Sequence, residues 1–169
     1  LGYPGTTGAT YMDFIIADEI VIPKENFKHY TEKVLYLPHC YQANMSQREI
    51  SKKQFKRIDF GLPEDSLIYC SFNNNYKITP DIFDTWMNIL KKVDNSVLWL
   101  LKPNKSAIEN IHYELTKNGL AKTKIIFADK VDLGDHLSRL SCGDLFLDTF
   151  NYNAGTTAMD ALWSGLPLI

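Results

Sequence analysis

The sequence predicts an α/β protein built on a doubly wound, Rossmann-like parallel sheet. From about residue 63 onward, short apolar stretches alternate with amphipathic stretches whose apolar residues recur at helical spacing. Strands that alternate with helices of this length imply right-handed crossovers and parallel pairing. The predicted strands are apolar along nearly their whole length, which is typical of a sheet covered on both faces.

Four strands and four helices are predicted in this part of the chain. The first strand spans residues 67–72, and the first helix follows Thr79 as its N-cap, with Pro80 at the first helical position. The later elements are a strand at 96–101, a helix at 106–118 ended by Gly119, a strand at 124–127, a short helix at 133–140, a strand at 143–148 and a helix at 156–164.

The first part of the chain has a different pattern. Two apolar stretches at 11–17 and 33–37 are predicted as buried strands, joined by a segment with a helix at 24–30. Residues 44–58 are polar and weakly helical in pattern. We therefore predict two domains, the end of one Rossmann-like lobe with its connection at 1–58, and a second lobe at 59–169 that lacks its C-terminal end.

Composition excludes several classes of function. The formal net charge of -2 gives no electrostatic basis for binding nucleic acid or a membrane surface. The three cysteines show no C-x-x-C spacing, so neither a disulfide framework nor a zinc site is indicated, and a reducing, cytoplasmic location is expected. No apolar run approaches the roughly 20 residues of a membrane span. The missing initiator Met and the apolar final residues indicate an internal piece of a longer protein.

The turn before the last predicted helix is the first candidate site. It follows a strand and brings the adjacent hydroxyls of Thr156 and Thr157 to the helix start, with Asp160 one turn further on. A helix N-terminus has unpaired N–H groups and a partial positive charge, so it suits a phosphate, and an acid beside it suits ribose hydroxyls. The alternative is that Thr156 is an N-cap and Asp160 is merely solvated.

A second polar loop follows the strand at 67–72, and carries Asn74 and Lys77. In a parallel sheet this loop falls on the same carboxyl edge as the threonine turn, where Lys and Asn side chains can bind a diphosphate. The alternative is a plain polar loop with Lys77 in solvent. In the short helix at 133–140, His136 is a candidate for stacking on a base, and the alternative is a surface histidine. The glycine-rich start of the chain, 1–8, suits close approach of a ligand or forms a simple turn.

Several blocks of the chain together resemble the O-linked N-acetylglucosamine transferases and SPINDLY-like proteins. Gly-Tyr-Pro-Gly-Thr-Thr-Gly-Ala at 2–9 is followed by Met-Asp-Phe-Ile-Ile-Ala-Asp at 12–18. The other blocks are Glu-Lys-Val-Leu-Tyr-Leu-Pro-His at 32–39, Gly-Leu-Pro-Glu-Asp at 61–65, Phe-Asn and Tyr-Lys-Ile within 72–78, Asn-Ser-Val-Leu-Trp-Leu-Leu at 95–101, and Leu-Asp-Thr, Gly-Thr-Thr and Asp-Ala-Leu-Trp within 147–163. They occur in the family's order along the chain.

The resemblance implies a GT-B glycosyltransferase with two Rossmann-like lobes and a nucleotide sugar bound between them. Such enzymes transfer N-acetylglucosamine from UDP-GlcNAc to Ser or Thr of acceptor proteins, with inversion and without a metal ion or other cofactor. Tetratricopeptide repeats usually precede the catalytic region in the parent protein. The proposed catalytic bases lie in the first lobe, upstream of Leu1, so this piece would carry the donor half of the site and be inactive by itself.

The resemblance also implies a role for individual residues. The lysine that stabilises the departing UDP matches Lys77, which is the one catalytic residue implied here. Binding roles fall on Gly2 beside the sugar, Asn74 beside the phosphates, His136 and Arg139 at the uracil, Thr156 and Thr157 at the phosphates, and Asp160 at the ribose.

One departure leaves alternatives open. Gly155 stands where many members of the family have His, and plant SPINDLY proteins, which use GDP-fucose, share the Ala-Gly-Thr-Thr turn. The Asp-Ala-Leu-Trp continuation from Asp160 favours UDP-GlcNAc. The alternatives are a GDP-fucose-dependent protein O-fucosyltransferase and a non-catalytic Rossmann-like module that binds a nucleotide or a partner.

Overall fold

The computed structural model describes residues 4–169, and the chain divides into two compact units between Ser46 and Gln47. The first unit contains β1 (Phe14–Ala17) and β2 (Lys33–Tyr36), which pair in parallel. A 3-10 helix at Lys24–His29 connects them, where a helix at 24–30 was predicted. The two predicted strands are confirmed with shorter bounds, but the prediction that they are buried is wrong for Phe14, Ile16 and Leu35, which are exposed.

The β1–β2 pair is apolar on both faces. On one face Ile15 and Ala17 are buried and pack with Ile22. On the other face Phe14 and Ile16 are 50% and 55% exposed. Apolar residues on both faces are typical of parallel strands that belong to a sheet covered on both sides.

The second unit contains a parallel sheet of four strands in the order β5-β4-β3-β6. The strands are β3 (Leu67–Ser71), β4 (Ser96–Leu101), β5 (Ile125–Ala128) and β6 (Leu145–Phe146). The first strand of this unit, β3, lies in the interior of the sheet. β4 and β5 follow in order on one side of it, and β6 then pairs with its other side. This reversal is the mark of a doubly wound sheet, and it places the topological switch point between β3 and β6.

Two helices cover each face of this sheet. The helices are α1 (Pro80–Lys92), α2 (Lys105–Lys117), α3 (Leu133–Arg139) and α4 (Thr156–Trp163). Alternate strand residues face opposite sides, so Leu98 packs in a core with α1 and α2, while Trp99 packs in a core with α3 and α4. No helix among residues 4–169 is long and apolar enough to cross a membrane.

The predicted elements of this unit are confirmed within a few residues at each boundary. Pro80 opens α1 directly after Thr79, as the sequence indicates. The predicted strand at 143–148 is reduced to two residues of regular β6, although Leu147 still donates to the Cys70 carbonyl. On its far side, β6 pairs with the extended end of the chain, where the Phe146 amide donates to the Pro167 carbonyl at 2.8 Å.

The prediction of weak helix at 44–58 is wrong. The only helical turn that overlaps it is a 3-10 turn at Arg57–Phe60. Residues 47–56, which we call the strap segment, lie along α3, where the Ser51 amide donates to the Gly134 carbonyl at 3.0 Å. Because tertiary partners take these backbone groups, the weak local preference for helix is overridden. The predicted lobe boundary at residue 58 stays a prediction.

Phe146 is 0% exposed, so substituting it tests the packing of the core beneath β6. We expect Phe146→Ala to lower the free energy of unfolding by about 3–5 kcal/mol, because the lost apolar contacts leave a cavity. Denaturant titration of this unit measures the change. The matched control is Phe150→Ala, at a side chain 62% exposed, which should change stability by less than about 0.5 kcal/mol. Equal losses in the two variants would contradict the packing described here.

Candidate functional site

The candidate site lies at the carboxyl edge of the sheet, where the loops that follow β3 and β6 meet. Asn73, only 4% exposed, joins the two loops. Its Nδ2 donates to Asp148 Oδ1 and to Thr149 Oγ1, both at 3.2 Å. Its Oδ1 accepts a hydrogen bond from Thr157 Oγ1 at 2.5 Å. A single buried amide therefore connects the β3 loop, the β6 loop and the first turn of α4.

Asp148 holds the β6 loop in one conformation. Its Oδ1 accepts from the backbone amides of Thr149 and Ala154, each at 2.7 Å. Its Oδ2 accepts from Asn153 Nδ2 at 3.2 Å. A carboxylate that binds donors from both ends of a loop reduces the loop's freedom, so the turn that leads into α4 is preorganised.

Lys77 ends the 3-10 turn Asn75–Lys77 in the β3 loop, and its ammonium reaches the β6 loop. Nζ donates to the Asn153 carbonyl at 3.0 Å and lies 4.4 Å from the centre of the Tyr152 ring. The structure thus brings the Lys77 ammonium and the Thr157 hydroxyl to one pair of loops on one edge of the sheet. The alternative of a lysine extending freely into solvent does not describe this side chain.

The two threonines of the turn differ in exposure, and neither is the N-cap residue of α4. Gly155 is the N-cap residue of α4 and Thr156 is the first helical residue, so the alternative assignment of Thr156 as N-cap is wrong. Thr156 is exposed, whereas Thr157 is half-buried and bonded to Asn73. Asn74 is exposed at the start of the 3-10 turn, and its carbonyl accepts from the Lys77 amide at 3.0 Å.

Asp160 is buried rather than solvated, so that alternative is also wrong. It is 5% exposed and forms an ion pair with Arg48 of the strap segment. Its second oxygen, Oδ2, lies 3.9 Å from Nε2 of His136 on α3. Sequence reasoning missed Arg48, which stands 112 residues away in a weakly patterned segment. No spacing rule connects the two residues.

Arg139 is internal to the protein. It is 2% exposed, its Nη1 donates to the Asp129 carbonyl at 2.6 Å, and its Nε donates to His136 Nδ1 at 3.2 Å. Its guanidinium also lies 5.1 Å from the Phe72 ring centre and 5.8 Å from that of Trp99. In this arrangement the buried Arg139 side chain fixes the orientation of the His136 ring. Its predicted contact with a base stays a prediction.

His136 is half-buried rather than a surface histidine. Its side chain is 13% exposed and packs edge-on against Phe72, with ring centres 5.0 Å apart. Burial lowers the pKa of His136 from 6.5 to about 4, the Arg139 cation acts in the same direction, and Asp160 opposes both. Because a guanidinium can only donate, Nδ1 is the acceptor and the proton is carried by Nε2.

A pocket of about 480 Å³ opens beside α3, at the carboxyl end of β5. It is lined by Lys130, Val131, Asp132 and Asp135. The pocket and His136 lie on the same edge of the sheet as the two loops. This edge therefore offers an ammonium, two hydroxyls, a carboxylate, an imidazole and a concave surface.

The glycine-rich start of the chain belongs to the first unit, and Gly2 lies outside the described residues. The residues that follow are held by Glu32, which accepts from Thr6 Oγ1 at 2.6 Å and from the Thr7 amide at 2.7 Å. Those hydrogen bonds, the Thr6 hydroxyl first, lower the pKa of Glu32 to about 2. Tyr30 adds a hydrogen bond from its hydroxyl to the Pro4 carbonyl at 2.9 Å.

The lowered pKa of His136 predicts a specific pH dependence of stability. Its folded pKa of about 4 lies below its ordinary 6.5. Between these values the unfolded chain binds a proton that the folded chain does not, so stability falls as pH falls through this window. We expect His136→Gln to make the free energy of unfolding less dependent on pH between 6.5 and 4.

Urea titrations at several pH values across that window would measure this difference. The exposed His29, in the first unit, provides the control, and His29→Gln should leave the profile of the second unit as it is. If His136→Gln and the unsubstituted protein lost stability in parallel on acidification, a lowered pKa of His136 would be ruled out.

Comparison with known proteins shows the family of the chain. The model of glycosyl transferase family 41 matches residues 1–59 and 43–169. An Arabidopsis thaliana protein named probable UDP-N-acetylglucosamine–peptide N-acetylglucosaminyltransferase SEC is 42% identical over 100% of this chain and 18% of its own length. A Eustoma exaltatum subsp. russellianum protein with the corresponding name SPINDLY is 30% identical, again over 100% of this chain and 18% of its own.

Solved structures agree on the fold. A mutant of the Thermobaculum terrenum O-GlcNAc transferase superposes with a TM-score of 0.80 at 22% identity, over 99% of this chain and 31% of that one. The α/β, Rossmann-like fold of the GT-B type predicted from the sequence is thereby confirmed. The chain spans about a fifth of the length of the curated relatives above, 18% in each case. The chain belongs to glycosyl transferase family 41.

Proposed function

We propose that the protein transfers N-acetylglucosamine from UDP-GlcNAc to Ser or Thr of acceptor proteins, and that residues 47–169 carry the donor half of the site. The observation that carries the proposal is the meeting of Lys77 with the threonine turn at the switch point between β3 and β6. Ligands of open α/β sheets bind at such a point. The names of the relatives support the choice of donor and acceptor.

The diphosphate has three kinds of donor at this edge. The Lys77 ammonium has three protons and uses one on the Asn153 carbonyl, which leaves two for phosphate oxygens. The exposed hydroxyl of Thr156 and the unpaired amides in the first turn of α4 supply the others. Thr157 contributes by fixing the turn through its hydrogen bond to Asn73.

These donors suit an inverting transfer that proceeds without a metal ion. As the sugar leaves, negative charge grows on the diphosphate, and fixed donors aimed at that charge lower the barrier. The loops that carry Lys77 and Thr157 are already organised by Asn73 and Asp148, so little rearrangement is needed. We accordingly propose Lys77 as the catalytic residue of this half of the site.

The nucleoside is proposed to bind further along the same edge. Asp160 keeps acceptor capacity on Oδ2 for a ribose hydroxyl, because Arg48 engages Oδ1. His136 and the adjacent pocket of about 480 Å³ would receive the base. A pneumococcal O-GlcNAc transferase of related fold, with a TM-score of 0.57, has been solved with UDP and GlcNAc.

A second candidate donor is GDP-fucose, since the turn reads Ala-Gly-Thr-Thr at 154–157 as in SPINDLY-like proteins. The higher identity to the SEC protein, 42% against 30% for a SPINDLY protein, favours UDP-GlcNAc. Calorimetry with UDP and GDP separates the two donors.

The proposal also includes a cytoplasmic location for the protein and tetratricopeptide repeats elsewhere in its chain.

Lys77→Ala should lower kcat for transfer to an acceptor peptide by about 10²–10³, the effect of losing one donor to developing charge. The measurement is a glycosylation assay on the full-length protein with UDP-GlcNAc. Lys91→Ala, at an exposed lysine near the end of α1, is the matched control and should keep normal turnover. Near-normal rates for Lys77→Ala would remove this residue from the mechanism.

Asp160→Asn should weaken UDP binding by about 10-fold or more, because a hydrogen bond to a charged group contributes about 1.5–3 kcal/mol. Isothermal calorimetry on the full-length protein measures the Kd. The control is Asp94→Asn, at an exposed turn before β4 on the opposite edge of the sheet. A Kd for UDP that stays the same in Asp160→Asn would refute the ribose role.

A further inference from the structure

The ion pair between Arg48 and Asp160 is the most deeply buried one described in the second unit, with each side chain only 8% exposed. Burying two charges carries a desolvation penalty that their attraction often fails to offset, and apolar replacements are frequently as stable or more so. Arg48 adds to that penalty, because its Nε is buried and has no hydrogen-bond partner. Stability alone is therefore a poor explanation of this pair.

The location of the Arg48–Asp160 ion pair suggests a reason for its presence. Asp160 lies one turn into α4, after the threonine turn, and faces His136 across the α3–α4 contact. Arg48 engages only Oδ1. Oδ2 remains 3.9 Å from His136 Nε2, which is too long for a hydrogen bond and leaves that oxygen able to accept one. One oxygen of the carboxylate is held, and the other is available.

The strap segment delivers Arg48 from a fixed backbone. The Ser51 amide bonds to the Gly134 carbonyl at 3.0 Å, and Ser138 Oγ donates to the Lys53 carbonyl at 2.6 Å. The two contacts fasten the segment along α3, beside the residues that orient His136. The segment lies against Gly134, where an added Cβ would be in ordinary van der Waals contact with the Glu49 carbonyl oxygen, at 3.4 Å.

We propose that Arg48 is a positioning residue of the donor site, an inference that rests on the proposed function. It holds the Asp160 carboxylate in one orientation, so that Oδ2 accepts a hydroxyl of the nucleoside's sugar without first losing rotational freedom. A carboxylate on an unrestrained side chain would have to be ordered on binding, and that ordering weakens affinity. Arg48 acts through Asp160 and has no direct role in transfer.

The first experiment compares Arg48→Met with Arg57→Met in the full-length protein. Arg57 pairs with Asp144 at 2.8 Å, with side chains 20% and 34% exposed, beside the start of β3 and away from the candidate site. Each variant loses an ion pair, so thermal unfolding reports the structural loss in both. We expect the Kd for UDP to rise at least 10-fold in Arg48→Met and to stay unchanged in Arg57→Met.

The kinetic expectation is equally specific. Arg48→Met should raise KM for the donor while kcat at saturating donor changes by less than threefold, because the chemistry of the leaving diphosphate is left alone. Arg48→Lys keeps one donor for Oδ1 and should recover part of the affinity. A merely structural arginine would give no such split and no such rescue.

A double-variant cycle tests whether Arg48 works through Asp160. If it does, Arg48→Met combined with Asp160→Asn should bind UDP as weakly as Asp160→Asn alone. Should Arg48→Met fail to fold, Arg48→Met with Asp160→Leu removes both partners and relieves the unpaired charge. That variant should fold, and its loss of UDP binding should equal that of Asp160→Asn within threefold.

The outcomes separate the two proposals. If the unsubstituted protein binds UDP and Arg48→Met binds it equally well, the positioning role is overturned and the proposed function stands. A further loss on adding Arg48→Met to Asp160→Asn also overturns it, since Arg48 would then act independently. If the unsubstituted protein fails to bind UDP, the proposed function and this inference fall together.

Discussion

The parallel pairing of β3 with β6 is the constraint on which the candidate site depends. The two strands are separated along the chain by two complete strand–helix units, yet Tyr69 lies opposite Leu145 in the sheet. Because both strands run in the same direction, the loops that leave them emerge on the same edge. Hydrogen bonds donated and accepted by the Asn73 amide then convert this proximity into a fixed arrangement. Without the pairing, Lys77 and Thr157 would have no common surface.

Two clusters of polar groups in the second unit differ in how their hydrogen bonds and charges affect the structure. Around Asn73 and Asp148, side-chain and backbone amides donate to one carboxylate and to hydroxyl groups, and these hydrogen bonds hold the loops that are proposed to bind phosphate. Around Asp160 and His136, charges are buried, and burial lowers the pKa of His136 to about 4. Buried polar networks of this kind define a geometry when satisfied and carry a penalty when they are not. The second cluster is therefore the more sensitive part of the unit to substitution.

The fold was largely predictable because its signals are local. Apolar strands and amphipathic helices alternate from residue 67 onward, and turn residues such as Pro80 and Gly119 mark element ends. The failed prediction of helix at 44–58 has a tertiary cause, because the backbone of the strap segment bonds to α3.

For the site, the sequence by itself determined which residue types stand at the ends of strands: Lys77 in one loop, Thr156 and Thr157 at a helix start, and Asp160 one turn later. Such positions follow from periodicity, which is a property of neighbouring residues. The tertiary structure alone decided that Arg48 meets Asp160. Contact across 112 residues of chain depends on how helices pack on a sheet, and no local pattern records it.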